Sequence, residues 1–352
     1  MRRALYGAAV WLHVASVHWW RVLHGWVAYA LSLVERRDAV LAELPGRQPE
    51  LGPRVALFCH FDRRGEIRPH TRKYIEALRA EGFSVVLVSN SGHLAAPSRA
   101  WAEERVARII LRRNIGYDFA AWRDGLLRLG LPAADTECLV IANDSVYGPF
   151  GPLGPLLSRM DFGAADVWGM TETWQIRYHL QSYFVAFGRR AMASDAFGAF
   201  WRGVRDVRSK WWVVRTYEVG LTQVLLAAGL RCQALWEYED LIGSARRHLA
   251  LEAAEEEDDR PAGGDPFHQA TLKNYARVVR GATRRVAMNP TSDLWLLLLG
   301  SGFPFIKREL LRENPGRVPD VAAWRAGLAH AHEADRELIM RDLQRSLRGI
   351  AP

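Results

Sequence analysis

The feature that most constrains the fold is a series of short apolar runs that alternate with amphipathic helical stretches between residues 54 and 145. The runs are RVALFCHF, FSVVLVSNS, RVARIILRR and ECLVIANDS. They have the length and apolar composition of buried strands. A helical pattern, PHTRKYIEALRAEG, separates the first two and ends on Gly82. Strands that alternate with helices pair in parallel, so the sequence predicts an α/β domain with a mostly parallel sheet flanked by helices.

Polar residues follow three of these runs at the points where the strands are predicted to end. They are Asn90, Ser91, Asn114, Asp118, Asn143, Asp144 and Ser145. Open α/β sheets bind their ligands at the carboxyl ends of the strands, so these side chains are predicted to share one crevice. The competing interpretation is a set of ordinary Asx turns at strand ends.

A carboxylate and hydroxyl groups at such an edge suit a ligand that carries a diphosphate. A divalent ion held by Asp144 would neutralise the phosphate oxygens and stabilise a departing phosphate. The chain contains no G-x-G-x-x-G sequence and no P-loop sequence. Their absence argues against a dinucleotide oxidoreductase and against a P-loop ATPase.

Two later segments carry further candidates. Glu218 is predicted to open the helix TYEVGLTQVLLAAG. It is either an acid that gains from the helix dipole or a general base that takes the proton of an acceptor hydroxyl. Lys307 and Arg308 lie in NPTSDLWLLLLGSGFPFIKRELLRENP, which is either a C-terminal packing element or a contact for phosphate or the acceptor.

The first forty residues differ in composition from the rest of the chain. Residues 4–34 contain one Arg, three His and no acid, and the longest uncharged stretch has 17 residues. Such a stretch is short for the roughly 30 Å of hydrocarbon in a bilayer. With Trp11, Trp19 and Trp26 at headgroup depth, we expect a helix that lies on a membrane rather than one that crosses it. A helix that crosses the membrane and a buried packing helix are the alternatives.

The charge balance and the cysteines limit the partners and the compartment. There are 47 Lys and Arg against 39 Asp and Glu, which favours anionic partners. No basic stripe is interleaved with aromatic residues, so nucleic acid is not expected as a partner. Cys59, Cys138 and Cys232 are far apart in apolar surroundings. They are expected to be free thiols in a reducing, cytoplasmic setting.

Seven motifs in a fixed order resemble one protein family. They are VSNS, RNIGYDFAAW, NDSVYGPF, DVWGMTE, HLQSYFVAF, YEVGLT and NPTSDLW with the following GFPFIKRELLRENP. Over residues 54–315 the chain resembles the rhamnan synthesis protein F family, glycosyltransferase-type proteins of bacterial cell-surface polysaccharide assembly. The resemblance implies transfer of a deoxysugar, typically rhamnose from dTDP-rhamnose, to a lipid-linked glycan at the cytoplasmic face of the cell membrane. Other polysaccharide-assembly proteins are then possible partners.

More distantly, the motifs resemble the GT-A fold, a Rossmann-like fold of inverting nucleotide-sugar transferases. That resemblance implies that Asp144 holds Mg²⁺ or Mn²⁺ and that Glu218 is the base. Asp144 is the one acid of its triplet, and Glu218 stands where those transferases have an acidic pair. The nucleotide-binding residues implied are Asn90, Ser91, Asn114, Gly116, Asp118, Asn143 and Ser145. The acceptor-side residues expected are Trp168, Glu172, His179, Gln181 and Ser182.

The chain is therefore interpreted as a GT-A-like glycosyltransferase that is peripheral on the inner face of the cell membrane. The predicted segments are 1–40 as a membrane-associated helix, 41–53 as a linker, 54–250 as the catalytic domain, 251–266 as a flexible acidic insertion and 267–352 as a C-terminal helical segment that completes the domain. An alternative from another class is a non-catalytic glycan-binding or assembly subunit. The single acid in the metal triplet favours that alternative, and the presence of Glu218 argues against it.

Overall fold

The computed structural model describes residues 2–34, 38–256, 265–328 and 333–348. Within these residues, a nine-stranded sheet forms the centre of the molecule, and a two-stranded sheet pairs β6 with β11. The strands are β1 Val40–Pro45, β2 Arg54–His60, β3 Ser84–Ser89, β4 Arg108–Arg112, β5 Cys138–Asn143, β6 Val146–Tyr147, β7 Val167–Thr173, β8 His179–Leu180, β9 Phe184–Gly188, β10 Cys232–Trp236 and β11 Ile306–Lys307.

Helices cover both faces of the large sheet and extend from it at both ends of the chain. They are α1 Arg2–Val34, α2 Pro69–Ala80, α3 Ala96–Arg105, α4 Tyr117–Arg128, α5 Gly154–Leu157, α6 Arg189–Met192, α7 Asp195–Gly203, α8 Lys210–Val213, α9 Val219–Ala227, α10 Tyr238–Glu256, α11 Pro266–Thr283, α12 Pro290–Asp293, α13 Trp295–Gly300, α14 Arg308–Arg312, α15 Trp324–Gly327 and α16 Glu333–Arg348. A π-helical turn, Val214–Glu218, and a 3₁₀ turn, Val321–Ala323, complete the set described.

The strand order of the large sheet is β1-β4-β3-β2-β5-β9-β7-β10, with β8 paired to β7. The four central strands β4, β3, β2 and β5 are parallel neighbours. β9 is antiparallel to both β5 and β7, and β10 is again parallel to β7. The predicted α/β class, with a mixed and mostly parallel sheet flanked by helices, is confirmed.

The apolar runs of the central strands are buried on both faces of the sheet. In β5, Val140 and Ala142 belong to one apolar core, and Leu139 and Ile141 belong to another. All four side chains are fully buried. Because successive side chains of a strand point to opposite faces, each face of the sheet carries its own core. This double burial explains why the strands read as continuous apolar runs.

The N-terminal region differs from the prediction in one respect. The helix predicted over residues 1–40 is present as α1, but the predicted linker over 41–53 overlaps the edge strand β1. β1 pairs antiparallel with β4, and its residues alternate between half-buried and exposed. A short, half-polar edge strand that ends in proline lacks the apolar run by which the central strands were recognised.

The helix α1 packs against α8 through its C-terminal half. Tyr29 stacks on Trp212 with ring centroids 4.8 Å apart, and Trp26 meets the same ring edge-on at 4.9 Å. Gly25 lies against Trp211, where an added Cβ would be 3.0 Å from the indole ring. Among the residues that the structure describes, no helix is both long enough and apolar enough to cross a membrane.

The acidic insertion predicted over 251–266 falls partly outside the structure. The helix α10 continues through the first six of these residues to Glu256, and α11 begins at Pro266. Residues 257–264 lie outside the described residues. The C-terminal segment is helical as predicted, and α16 returns to the first half of the domain. There Lys73 of α2 forms an ion pair with Asp335.

Candidate functional site

A pocket of about 340 Å³ opens beside the carboxyl ends of the central strands. Eight of the residues proposed from the sequence line it. These are Asp118, Asn143, Ser145, His179, Gln181, Ser182, Glu218 and Lys307. The lining therefore joins strand ends of the first half of the domain to residues from β8, the π-helical turn and β11.

The other eight candidates do not line this pocket. These are Asn90, Ser91, Asn114, Gly116, Asp144, Trp168, Glu172 and Arg308. Trp168 is buried in the core and donates its indole N–H to the carbonyl of Asp161. Glu172 accepts a hydrogen bond from the backbone N–H of Tyr238, and burial raises its pKa. The structure thus places both residues in the protein interior, away from the pocket.

The polar residues at the strand ends form a closed set of hydrogen bonds, which we call the strand-end cluster: Cys59, Asn90, Arg112, Asp118 and Asn143. Asn143 donates its side-chain N–H to Asp118 Oδ2 at 2.8 Å, and the thiol of Cys59 donates to Oδ1 at 3.3 Å. Burial raises the pKa of Asp118 to about 6, and the nearby charges of Asp144 and Glu218 also raise it. Asp118 therefore changes its charge close to neutral pH.

Arg112 fixes this cluster from behind. Its side chain is fully buried and donates to Asp124 at 2.9 Å, to Asp206 at 2.9 Å and to the side-chain oxygen of Asn90 at 2.6 Å. A fourth bond reaches the carbonyl of Ile115. Arg123 pairs with the same two carboxylates, so two guanidiniums balance two acids, and Arg112 ties the loop after β4 to the end of β3.

The loop after β4 depends on a glycine. Gly116 has φ +75°, and a Cβ there would lie 2.4 Å from Cβ of Ala120 and 2.9 Å from Cα of Asp206. Only glycine accepts this backbone angle and this close approach without strain. Gly116 therefore sets the start of α4 and the position of Asp118, although it does not line the pocket itself.

Asp144 is turned toward Arg308. Its carboxylate lies 3.4 Å from the guanidinium, which also donates to the backbone carbonyl of Asp144 at 2.6 Å. Arg308 in turn lies 3.8 Å from Asp342 of α16. A chain of charges therefore runs from the C-terminal helix to the end of β5.

The donor set at this edge does not fit a divalent metal ion. Among the described residues, no group of three or more His, Cys, Asp or Glu side chains is arranged to hold one. The carboxylate oxygens of Asp118 accept bonds from Cys59 and Asn143, and the carboxylate of Asp144 pairs with Arg308. Mg²⁺ and Mn²⁺ prefer several free oxygen ligands, and a fixed guanidinium competes with them for the carboxylate of Asp144. The metal role expected of Asp144 is therefore not supported by its surroundings.

Glu218 occupies a position that differs from its predicted one. The helix-start interpretation is wrong, because α8, the π-helical turn and α9 form one continuous helical segment whose N-cap is Ser209. The hydroxyl of Ser209 accepts from the N–H of Trp212. Glu218 lies inside this segment, where the helix dipole gives it no terminal stabilisation. π-helical turns are frequent at functional sites.

The carboxylate of Glu218 is held on one oxygen only. Ser182 donates both its hydroxyl, at 2.8 Å, and its backbone N–H, at 3.2 Å, to Oε1. Among the described residues, Oε2 has no hydrogen-bond donor. The side chain is half-buried and lines the pocket. One oxygen of Glu218 is thus fixed in place while the other is available to a ligand.

A second polar network stands beside Glu218. Gln181 accepts from the hydroxyl of Thr171 and donates to Asn289 at 3.1 Å. His179 donates its Nδ1–H to the carbonyl of Arg177 at 2.8 Å, so Nε2 is free to accept in the neutral ring. These side chains lie next to one another in the pocket wall and form a polar surface suited to hydroxyl groups.

Several charged or polar residues of the pocket were not predicted from the sequence, and Thr173 and Gln175 are among them. Lys210, Asn289 and Glu309 line the pocket. Asn289 had a recognisable signal, because its side chain caps α12 before Pro290. Lys210 and Glu309 had none, because they lie far apart in the sequence and meet only in the fold. We call Ser182, Lys210, Glu218, Lys307 and Glu309 the open wall. They are the four charged residues of this side of the pocket and the serine that holds Glu218.

Comparison with known proteins places the chain in a family. Residues 85–254 match the family described as Rhamnan synthesis protein F. The chain is 30% identical over 277 residues to the virulence protein VirA of Vibrio anguillarum, which covers 76% of this chain and 82% of that protein. The chain belongs to the rhamnan synthesis protein F family. An uncharacterized protein of Sinorhizobium fredii, y4gN, is 33% identical over 172 residues, 48% of this chain and 45% of its own.

Two solved glycosyltransferase structures are similar to this rhamnan synthesis protein F family member. One is the mannosyltransferase PcManGT from Pyrobaculum calidifontis in complex with GDP-Man and Mn²⁺, with 14% identity, 91% of this chain and 96% of that chain covered, and a TM-score of 0.33. The other is GlyE of Streptococcus pneumoniae, with 10% identity, 68% and 65% coverage and a TM-score of 0.30. TM-scores of this size establish no residue equivalences, and nothing about the site follows from them.

Proposed function

We propose that this rhamnan synthesis protein F family member is a glycosyltransferase that moves a sugar from a nucleotide-sugar donor to a hydroxyl group of a glycan acceptor. The observation that carries the proposal is the carboxylate of Glu218, which belongs to the pocket lining and has Oε1 fixed by Ser182, while Oε2 has no donor among the described residues. A general base needs this combination of a fixed orientation and a free oxygen.

In the proposed reaction the acceptor hydroxyl transfers its proton to Glu218 Oε2 as its oxygen attacks the anomeric carbon. A bond forms between that oxygen and the carbon, and the bond from the carbon to the diphosphate oxygen breaks with its electron pair. The nucleoside diphosphate leaves on the opposite side, so the anomeric configuration inverts. His179 and Gln181 would orient the acceptor, while Asp118, Asn143 and Ser145 border the donor.

The proposed donor is a deoxysugar nucleotide such as dTDP-rhamnose, and the proposed acceptor is a lipid-linked glycan of the cell surface. Membership of a rhamnan synthesis family supports this choice. Asp118 is compatible with an anionic donor, because its raised pKa leaves part of the population uncharged near neutral pH.

The proposed place of action is the inner surface of the cell membrane. Large apolar side chains of α1 point to solvent, including Trp20, Leu23 and Leu31 at 67%, 58% and 61% exposure. The opposite side of this helix packs on α8, which begins with the pocket residue Lys210. A membrane bound to α1 would therefore lie close to the pocket, where a lipid-linked acceptor has to enter.

Vesicle sedimentation tests the membrane contact. Replacing Trp20, Leu23 and Leu31 with Ser should release the protein from vesicles that contain anionic lipid, because the apolar surface that these exposed side chains would bury in the membrane is lost. Trp174, which is 52% exposed but lies after β7, provides the matched control as Trp174→Ser. Equal sedimentation of the triple variant and the wild type would contradict a role for α1.

Incubation with a panel of nucleotide sugars and membrane-derived lipid-linked glycans tests the enzymatic proposal. One nucleotide sugar should raise the melting temperature, and its labelled sugar should pass into the lipid fraction. Failure of every nucleotide sugar to bind or react would contradict a transferase function.

A non-catalytic glycan-binding subunit is the second candidate. It is favoured by the ion pair between Asp144 and Arg308, which occupies the acid expected to serve the donor. Under this alternative the protein would bind glycan without any transfer of label. The same panel therefore separates the two functions.

A further inference from the structure

The charges of the pocket pose a problem for an anionic donor. Asp118 and Glu218 line the pocket, so a bound diphosphate would stand near two carboxyl groups. A divalent ion usually neutralises such a diphosphate. Asp144, the carboxylate expected to hold one, does not line the pocket and is paired with Arg308. The neutralising charge has to come from another group of the chain.

The cations that line the pocket are both lysines. The chain has 47 Lys and Arg, of which four are lysine. Within the described residues, Lys210 and Lys307 line this pocket and no arginine does. Lysine carries a compact charge on a flexible stem and binds phosphate as a point charge. Two of the four lysines of the chain therefore line this pocket, although arginine is far more frequent in the chain.

The two lysines come from separate elements that meet at the pocket. Lys307 belongs to β11, whose pairing with Val146 of β6 fixes its backbone directly beside Ser145. Lys210 begins α8, and its ammonium lies 3.6 Å from the carboxylate of Glu309. The side chains of Lys210 and Glu309 are 70% and 37% exposed. A pair so exposed is weak and can exchange for a better partner.

We propose that Lys210 and Lys307 bind the diphosphate of the donor in place of a divalent ion, and that Glu309 holds Lys210 until the donor arrives. The inference rests on the proposed function, since it assigns the phosphate subsite of that same pocket. Binding would move the ammonium of Lys210 from the Glu309 carboxylate to a phosphate oxygen. The two lysines would then offset the two charges of the diphosphate without a metal.

Calorimetric binding of nucleoside diphosphates in the presence of EDTA tests the proposal on the full chain. The probes are dTDP, UDP and GDP, each compared with its nucleoside. Lys210→Met and Lys307→Met should each weaken binding of the diphosphate about tenfold and leave the nucleoside unaffected. Glu309→Gln should tighten diphosphate binding by about two- to fivefold, because it releases Lys210. Lys273→Met, an exposed lysine of α11 outside the pocket, is the matched control.

The outcomes separate the inference from the proposed function. Diphosphate binding in EDTA that depends on both lysines, and that added Mg²⁺ or Mn²⁺ leaves unchanged, would support the inference. Binding that requires Mg²⁺ or Mn²⁺, or lysine variants that bind as well as the wild type, would overturn it and leave the transferase proposal standing. A wild type that binds none of the three diphosphates, with or without metal, would overturn both. The increase expected for Glu309→Gln is the result that a purely structural ion pair would not give.

Discussion

The strand-end cluster and the open wall border the same pocket but use their polar groups in opposite ways. In the cluster, Asn143 and Cys59 donate hydrogen bonds to Asp118. The guanidinium of Arg112 pairs with two carboxylates and donates to Asn90. In the open wall, Oε2 of Glu218 has no donor among the described residues. Polar residues at the correct edge of a sheet can therefore serve the fold, and the bonds they already make decide how much they can offer a ligand.

This contrast predicts that variants of the cluster change stability first. Arg112→Met should lower the free energy of unfolding by about 3–5 kcal/mol, because it removes a fully buried guanidinium and leaves Asp124 and Asp206 to share Arg123 alone. Arg113→Met, at the exposed neighbouring position, should stay within about 0.5 kcal/mol of the wild type. Urea unfolding measures both variants. An equal effect of the two substitutions would remove the structural role given to the cluster.

A smaller loss is expected at the loop that carries Asp118. Gly116→Ala should cost at least about 2 kcal/mol, because a left-handed backbone angle and a close contact are both penalised. Gly130→Ala is the control, since Gly130 also has a positive φ of +60° but its added Cβ would have nothing within 4 Å. It should cost about 1 kcal/mol. Thermal unfolding that ranks Gly130→Ala as the more harmful change would contradict the packing described for Gly116.

The smallest effect concerns the charge of Asp118 and appears as a pH dependence. Its folded pKa of about 6 lies above the unfolded value of about 3.9, so ionisation is costly in the folded state. Between about pH 4 and pH 6 the carboxyl group of Asp118 is ionised in the unfolded chain and still protonated in the folded protein. The free energy of unfolding therefore falls as the pH rises over this range. An anionic donor should bind more tightly below about pH 6, where Asp118 is neutral.

A nucleotide sugar is the right probe for this titration, because its diphosphate has no terminal phosphate that titrates in the same range. Its dissociation constant should fall a few-fold between about pH 7 and pH 5.5. Asp118→Asn should flatten that dependence. An unchanged pH dependence in Asp118→Asn would assign the titration to another group.

The sequence predicted the central sheet well because burial on both faces leaves a clear pattern. The four apolar runs became β2 to β5, and Asn143 proved to be the last residue of β5. The edge strand β1 was missed, since it is half-exposed and carries no continuous apolar run. Local composition therefore shows the buried strands but not the strand at the margin of the sheet.

The candidate site was predictable only where a local sequence pattern, such as the end of a strand or a helix, marked the residue. Asp118, Ser182 and Glu218 line the pocket as expected. The pairing of Asp144 with Arg308 joins residues 164 positions apart, and no local pattern announces it. The same holds for Lys210 and Glu309. The predicted start of a helix at Glu218 was wrong because the segment before it, α8 and the π-helical turn, is also helical. This segment is rich in Trp and Val, which gave no helical signal.

The proposed mechanism depends most on Glu218 as the general base, and single-turnover transfer by Glu218→Gln tests this role most directly. The variant should keep the melting temperature and the nucleotide-sugar affinity of the wild type, while transfer slows by at least about 100-fold. Thr216→Ala, at an exposed position of the same turn, should transfer normally. Transfer by Glu218→Gln within about threefold of the wild type would contradict the assignment of Glu218 as the base.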